Sequence, residues 1–149
     1  MNRIKWSLIF GAALLLVWGC KKSEGYSNVP SIKFVSLTPN PAVKDSSPVK
    51  ITIECTDGDG DVGENVPDAK NLFVTDSRNN VTYAFRISQL APNDAGVIIR
   101  ANLNINLNPQ GFVDDNNTTE TVTYSVYLKD RAGNSSNTIT TPSLLINKQ

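Results

Sequence analysis

The chain has 149 residues, with 14 Lys+Arg against 14 Asp+Glu. That balance leaves no basic footprint for nucleic acid. His is absent, which removes the commonest general base and a common zinc ligand, so no Ser-His-Asp or Cys-His set can be assembled.

The first twenty residues read as a leader. A basic start (Arg3, Lys5) precedes an apolar run from Leu8 to Val17 and then Gly19-Cys20. This is the layout of a secretory signal peptide over residues 1–19, and the run is short for a bilayer span of about 20 residues. The ending Val17-Trp18-Gly19-Cys20 resembles the lipobox of bacterial lipoproteins. The resemblance implies that Cys20 is acylated by fatty chains after cleavage before it. It also implies, from Lys21 following the Cys, an outer-membrane lipoprotein on the periplasmic face or the cell surface. Several acyl chains, at about 0.8 kcal/mol per buried CH2, would hold a soluble domain firmly. Residues 20–29 then form a polar tether without periodicity, and residues 30–149 form the domain. An intramolecular disulfide with Cys55 is not expected, because it would consume the anchor residue.

Ser31–Leu37 is rich in β formers and stops at Thr38-Pro39-Asn40-Pro41. Lys44–Pro48 is a polar turn. In Val49–Cys55 the residues Val49, Ile51, Ile53 and Cys55 alternate with polar ones, which marks a strand with one buried face. An acidic loop follows, and then Asn71–Thr75 and Val81–Ile87 read as a hairpin about the turn Asp76–Asn80. Val81, Tyr83, Phe85 and Ile87 would share a face. In Val97–Leu107 the residues Val97, Ile99, Ala101, Leu103, Ile105 and Leu107 alternate with Ile98, Arg100, Asn102, Asn104 and Asn106, which gives one apolar and one wet face, and Thr121–Lys129 alternates again. Asn137–Ile146 closes the chain with a bend near Pro142. About seven strands, no helical period and regular turn signals predict an antiparallel two-sheet sandwich, with a barrel as the alternative.

The unit ITIECTDGDGDVG and the later YSVYLKDRAGNSS resemble the immunoglobulin-like modules of bacterial surface proteins. The resemblance covers most of residues 30–147 and implies an immunoglobulin-like sandwich. It lacks the disulfide and buried Trp of antibody domains, and it implies little about function.

Asp57, Asp59 and Asp61 stand two residues apart with Gly58 and Gly60 between them. Carboxylates so spaced can converge on a hard cation such as Ca2+, which takes six to eight oxygens. Glu64 and Asp68 are near enough in sequence to add oxygens. Val62 stands where an EF-hand needs Gly, and no helices flank the loop. In an immunoglobulin-like sandwich the loops after the second and sixth strands share an end, which would bring Asp130 and Asn134 to the same place. The competing reading is that Asp and Gly are simply good turn formers.

Cys55 on the inward face reads as a small packed hydrophobe. With no base, nucleophile or phosphate loop evident, the expectation is a non-enzyme. It would be a lipid-anchored, Ca2+-stabilised module of the cell envelope that contacts another envelope protein or a glycan. The alternative is an accessory or hydrolytic domain acting on extracellular glycans through the acidic loop.

Overall fold

A computed structural model describes residues 25–149. The lipobox, Cys20 and the first part of the tether lie outside the described residues. Ten strands form in chain order: β1 (Ser31–Thr38), β2 (Ala42–Val43), β3 (Val49–Asp57), β4 (Leu72–Asp76), β5 (Thr82–Phe85), β6 (Ile99–Leu107), β7 (Thr119–Val122), β8 (Tyr124–Leu128), β9 (Ile139–Thr140) and β10 (Leu144–Asn147).

One sheet has the order β1-β3-β6 and the facing sheet β5-β4-β8-β9, while β2-β10-β7 closes one side. In immunoglobulin lettering these are A-B-E and C′-C-F-G, with β2 as the short strand pairing parallel to the last one. The protein is therefore an immunoglobulin-like two-sheet sandwich, and no helix occurs among the described residues.

The alternation read in β3 decides the packing. Val49, Ile51, Ile53 and Cys55 are all fully buried. They face Val74, Val126 and Leu128 of the second sheet within one core, to which Ile32, Ile105, Tyr124, Leu144 and Ile146 also belong. Each such aliphatic side chain contributes about 1.5–3 kcal/mol on burial. The β3–β6 ladder keeps one register from Val49↔Leu107 to Asp57↔Ile99, because a slip of one residue would turn every apolar side chain outward.

Seven predicted strands become ten through three local events. The predicted strand Thr121–Lys129 breaks at Thr123, where β7 pairs with β10 and β8 pairs with β4 and β9. At the break, Thr123 N–H donates to the Ser77 hydroxyl (3.0 Å) and Ser77 N–H donates to the Thr123 carbonyl (3.1 Å). The last strand breaks opposite, at Pro142, which has no N–H to give a ladder. The third event is β2, a two-residue strand that directly follows Pro41.

The hairpin β4–β5 forms as expected. Ile87 is buried and Tyr83 and Phe85 pack on the core, but Val81 is 45% exposed, and so are Val97 (46%) and Ile98 (45%) ahead of β6.

Candidate metal centre at the acidic tip

β3 carries its ladder as far as Asp57, which places that carboxylate at the end of a buried strand with no exposure at all. One of its oxygens, Oδ2, accepts the N–H groups of Gly60 (2.9 Å) and Asp61 (3.0 Å), so Asp57 folds the loop over itself. Gly60 sits at φ +82°, a conformation that needs a residue without Cβ. A Cβ on Gly58 would collide with the carbonyl oxygens of Tyr26 and Ser27, and Gly58 N–H donates to Ser27 O at 2.9 Å. The last described stretch of the tether therefore lies directly on the acidic loop.

Carboxylate oxygens of Asp57, Asp59 and Asp61 lie within 4.8 Å of one another. One oxygen of each, Oδ1, is buried without a hydrogen-bond partner among the described residues. An unpaired buried carboxylate oxygen is costly, and a cation held among these carboxylates would supply the missing partner. Burial pushes the Asp57 carboxyl above its ordinary range, against the two backbone N–H groups that pull it down, with Asp59 adding to the rise. Burial also raises Asp61, and the charges of Asp130 and Asp59 add to that rise. The trio can thus hold a metal ion.

The turn after β8 docks against this loop, as the topology implied. Arg131 N–H donates to Asp61 O (3.1 Å) and Ala132 N–H to Asp61 Oδ2 (3.0 Å). The Arg131 guanidinium bonds the carbonyls of Gly63 (2.8 Å) and Gly60 (3.3 Å). Asp130 is close enough for its charge to be felt at Asp61, but its own oxygens are taken by Asn134, from the backbone N–H (2.7 Å) and from Nδ2 (2.8 Å). Asp130 and Asn134 therefore brace the tip, and Asp130 stands outside the group of three.

Glu64 and Asp68 also stand outside it. The chain dives at Val62, whose side chain is fully buried, and Glu64 N–H is tied to Ile87 O at 2.9 Å.

Two residues that sequence reasoning passed over reach the site from elsewhere. A cleft of about 530 Å3 is lined by Asp59, Asp61, Asn93, Asp94 and Arg131 among others. Asn93 and Asp94 belong to the turn between β5 and β6, and their only signal in the sequence was turn chemistry after Pro92. The tip thus gathers oxygen ligands of the kind that hard cations take, while the Arg131 guanidinium holds the loop through the carbonyls of Gly60 and Gly63.

No family model matches the chain, and no curated protein matches it. Among solved structures it is similar to the SrpA adhesin from Streptococcus sanguinis at 19% identity, covering 85% of this chain and 59% of that one, with a TM-score of 0.37. A point mutant of the same adhesin matches at 20% identity, with 84% and 60% coverage and a TM-score of 0.35. The chain spans about three-fifths of the length of these structures.

Proposed function

We propose that this chain is a lipid-anchored binding module of the cell envelope, with no catalytic role, whose acidic tip takes up Ca2+. The observation that carries the metal is the set of three buried, partnerless oxygens on Asp57, Asp59 and Asp61. Ca2+ suits it better than Mg2+, which keeps its waters and an octahedral shell, whereas here the donors come from a loop of carboxylates with further oxygens in an open cleft. The anchor rests on the sequence alone, on Cys20 behind its apolar leader. The binding role is supported by a rigid sandwich with loops gathered at one end and by a sequence without His. The partner is another envelope protein or a glycan.

Pull-down from envelope extract with the soluble domain, in Ca2+ and in chelator, tests the partner and the metal together. A partner retained only with Ca2+ is expected, and retention of nothing in either condition would remove the binding reading. Labelling with a radioactive fatty acid tests the anchor: Cys20→Ser should leave the protein unacylated, and unchanged membrane retention of that variant would show that the leader itself holds it.

A further inference from the structure

The side of the sandwich opposite β1 is open. β6 is the last strand of its sheet and β5 the last of the other. Among the described residues, the backbone groups of 99–107 bond only to β3. Half of the N–H and C=O groups of a nine-residue strand therefore face outward unpaired. Natural edges are usually blunted with Lys, Pro or a bulge. This one has no Pro, keeps an unbroken register with β3, and carries a single charge, Arg100, which is drawn aside to Glu54 at 3.3 Å.

Beside this edge the sheets part into two adjoining cavities of about 410 and 400 Å3, both touched by Phe85 and Asn106. Their apolar floor is Leu72, Tyr83, Phe85, Leu103, Ile105 and Phe112. Tyr83, Phe85 and Leu103 are only partly covered, because no strand lies over them. Arg86 is exposed at the rim and has no ion pair or hydrogen-bond partner among the described residues.

We propose that this slot binds one extended peptide strand of another protein, added to β6, with apolar side chains at alternate positions and an acidic side chain facing Arg86. The unpaired edge demands an extended backbone. The cavities demand side chains from only one of its faces, the period of two that a strand supplies. The lone Arg86 sets the charge. A second copy of this chain is disfavoured as occupant, since its β6 arrives already backed by its own sheet and would need the space in which β5 stands. The inference deepens the reading of the chain as a binding module and rests on it. It is independent of the metal.

The test is selection of a displayed library of random linear peptides on residues 21–149, which contain the whole core, once with Ca2+ and once with chelator. Enriched peptides should alternate apolar and polar residues and carry Asp or Glu, in both conditions. Arg86→Glu, a surface change, should weaken them about tenfold, the size of a single well-placed charge contact. Exchanging the peptide's acid for Lys should restore binding to that variant. On binding, the fast-exchanging amides of β6 should become protected. No enrichment over an unrelated sandwich, equal binding by Arg86→Glu, or β6 amides already protected in the free monomer would each overturn the slot. Protection arising with a concentration-dependent dimer would assign the edge to a second copy instead. Enrichment confined to Ca2+ would move the partner site to the acidic tip. Loss of the Ca2+ response with the slot intact would remove only the metal.

Discussion

Asp57→Asn separates a metal site from a well-made turn, because the two readings give opposite signs. Asp57 is fully buried, and its oxygens lie within 4.8 Å of those of Asp59 and Asp61. At such distances two full charges repel by roughly 3 kcal/mol at an effective dielectric of about 20, and by about 1 kcal/mol in bulk water. Asn removes two of the three repulsive pairs and keeps an oxygen for the N–H groups of Gly60 and Asp61. Its new N–H2 also meets the acceptors of Asp59 and Asp61. The loss is the charge assistance on two hydrogen bonds, about 1 kcal/mol each. In chelator the variant should therefore be no less stable than the parent. With Ca2+ the order should invert. A dissociation constant of about 0.1–1 mM, usual for extracellular calcium modules, gives the parent about 1.4–2.7 kcal/mol at about 10 mM Ca2+. For a domain of this size that is roughly 5–10 °C in melting temperature. The variant should show almost none of it. Calorimetric melts of residues 21–149, with and without chelator, read both effects. A parent melt indifferent to Ca2+, or an Asp57→Asn variant that keeps the whole shift, would refute the site. The pH dependence has a definite sign as well. The Asp57 and Asp61 carboxyls are raised by burial, so without metal the folded state holds their protons more tightly than the unfolded chain does. Their contribution to stability is least at neutral pH and rises as acid protonates them. With Ca2+ the trend reverses, because protons compete for the same oxygens.

Tyr124 is fully buried and its hydroxyl has no hydrogen-bond partner among the described residues, so Tyr124→Phe should cost nothing or stabilise slightly in urea titration, and a loss above about 1 kcal/mol would reveal a hidden hydrogen bond. Arg78 bridges buried Asp76 (2.7 Å) and Glu120 (2.9 Å); Arg78→Ala should cost about 3 kcal/mol, since it leaves two carboxylates without their counter-charge and held by backbone N–H groups, while neutralising all three groups together should cost less. Burial pushes the Cys55 thiol up to about 12, so it should resist maleimide at pH 8 until the domain is unfolded, in a chain lacking Cys20. Because the folded value exceeds the ordinary thiol value, the stability Cys55 contributes is lost as pH rises from about 8.5 toward the folded value of about 12.

The parts of the fold that could be read ahead were those decided by the chain's own periodicity. β3 and β6 declared themselves because one face of each meets the core and the other meets water. The breaks at Thr123 and Pro142 stayed hidden because a change of partner sheet leaves both halves alternating. β2 is too short to have a period. At the tip, the spacing of Asp57, Asp59 and Asp61 was legible because it is local, and the approach of Asp130 followed from topology. Asn93 and Asp94 were invisible because their loop reaches the tip from the other sheet. Glu64 and Asp68 are near the trio in sequence, but the carboxylates that the fold groups are Asp57, Asp59 and Asp61 alone among the described residues.

The tether fixes how these features would stand on a membrane. Ser27 O accepts Gly58 N–H, so the chain enters the domain at the acidic tip. Between Cys20 and Gly25 lie too few residues to span more than roughly 18 Å when fully extended. With Cys20 acylated as proposed, the acidic tip is the membrane-proximal end, where divalent cations collect near anionic headgroups. β6 begins at the tip, with Ile99 opposite Asp57, and runs away from it to Leu107 opposite Val49, about 30 Å in all. The slot follows its distal half, from Leu103 onward. One end of the domain is then set to hold cations beside the bilayer, while the open edge projects outward, where an extended segment of another protein can reach it. Moving the anchor tests this polarity without touching either site. A chain lipidated at its C-terminus, beyond Gln149, should keep its Ca2+ shift in solution but lose capture of envelope partners on intact membranes. Equal capture from both orientations would show that the placement of the tether carries no function.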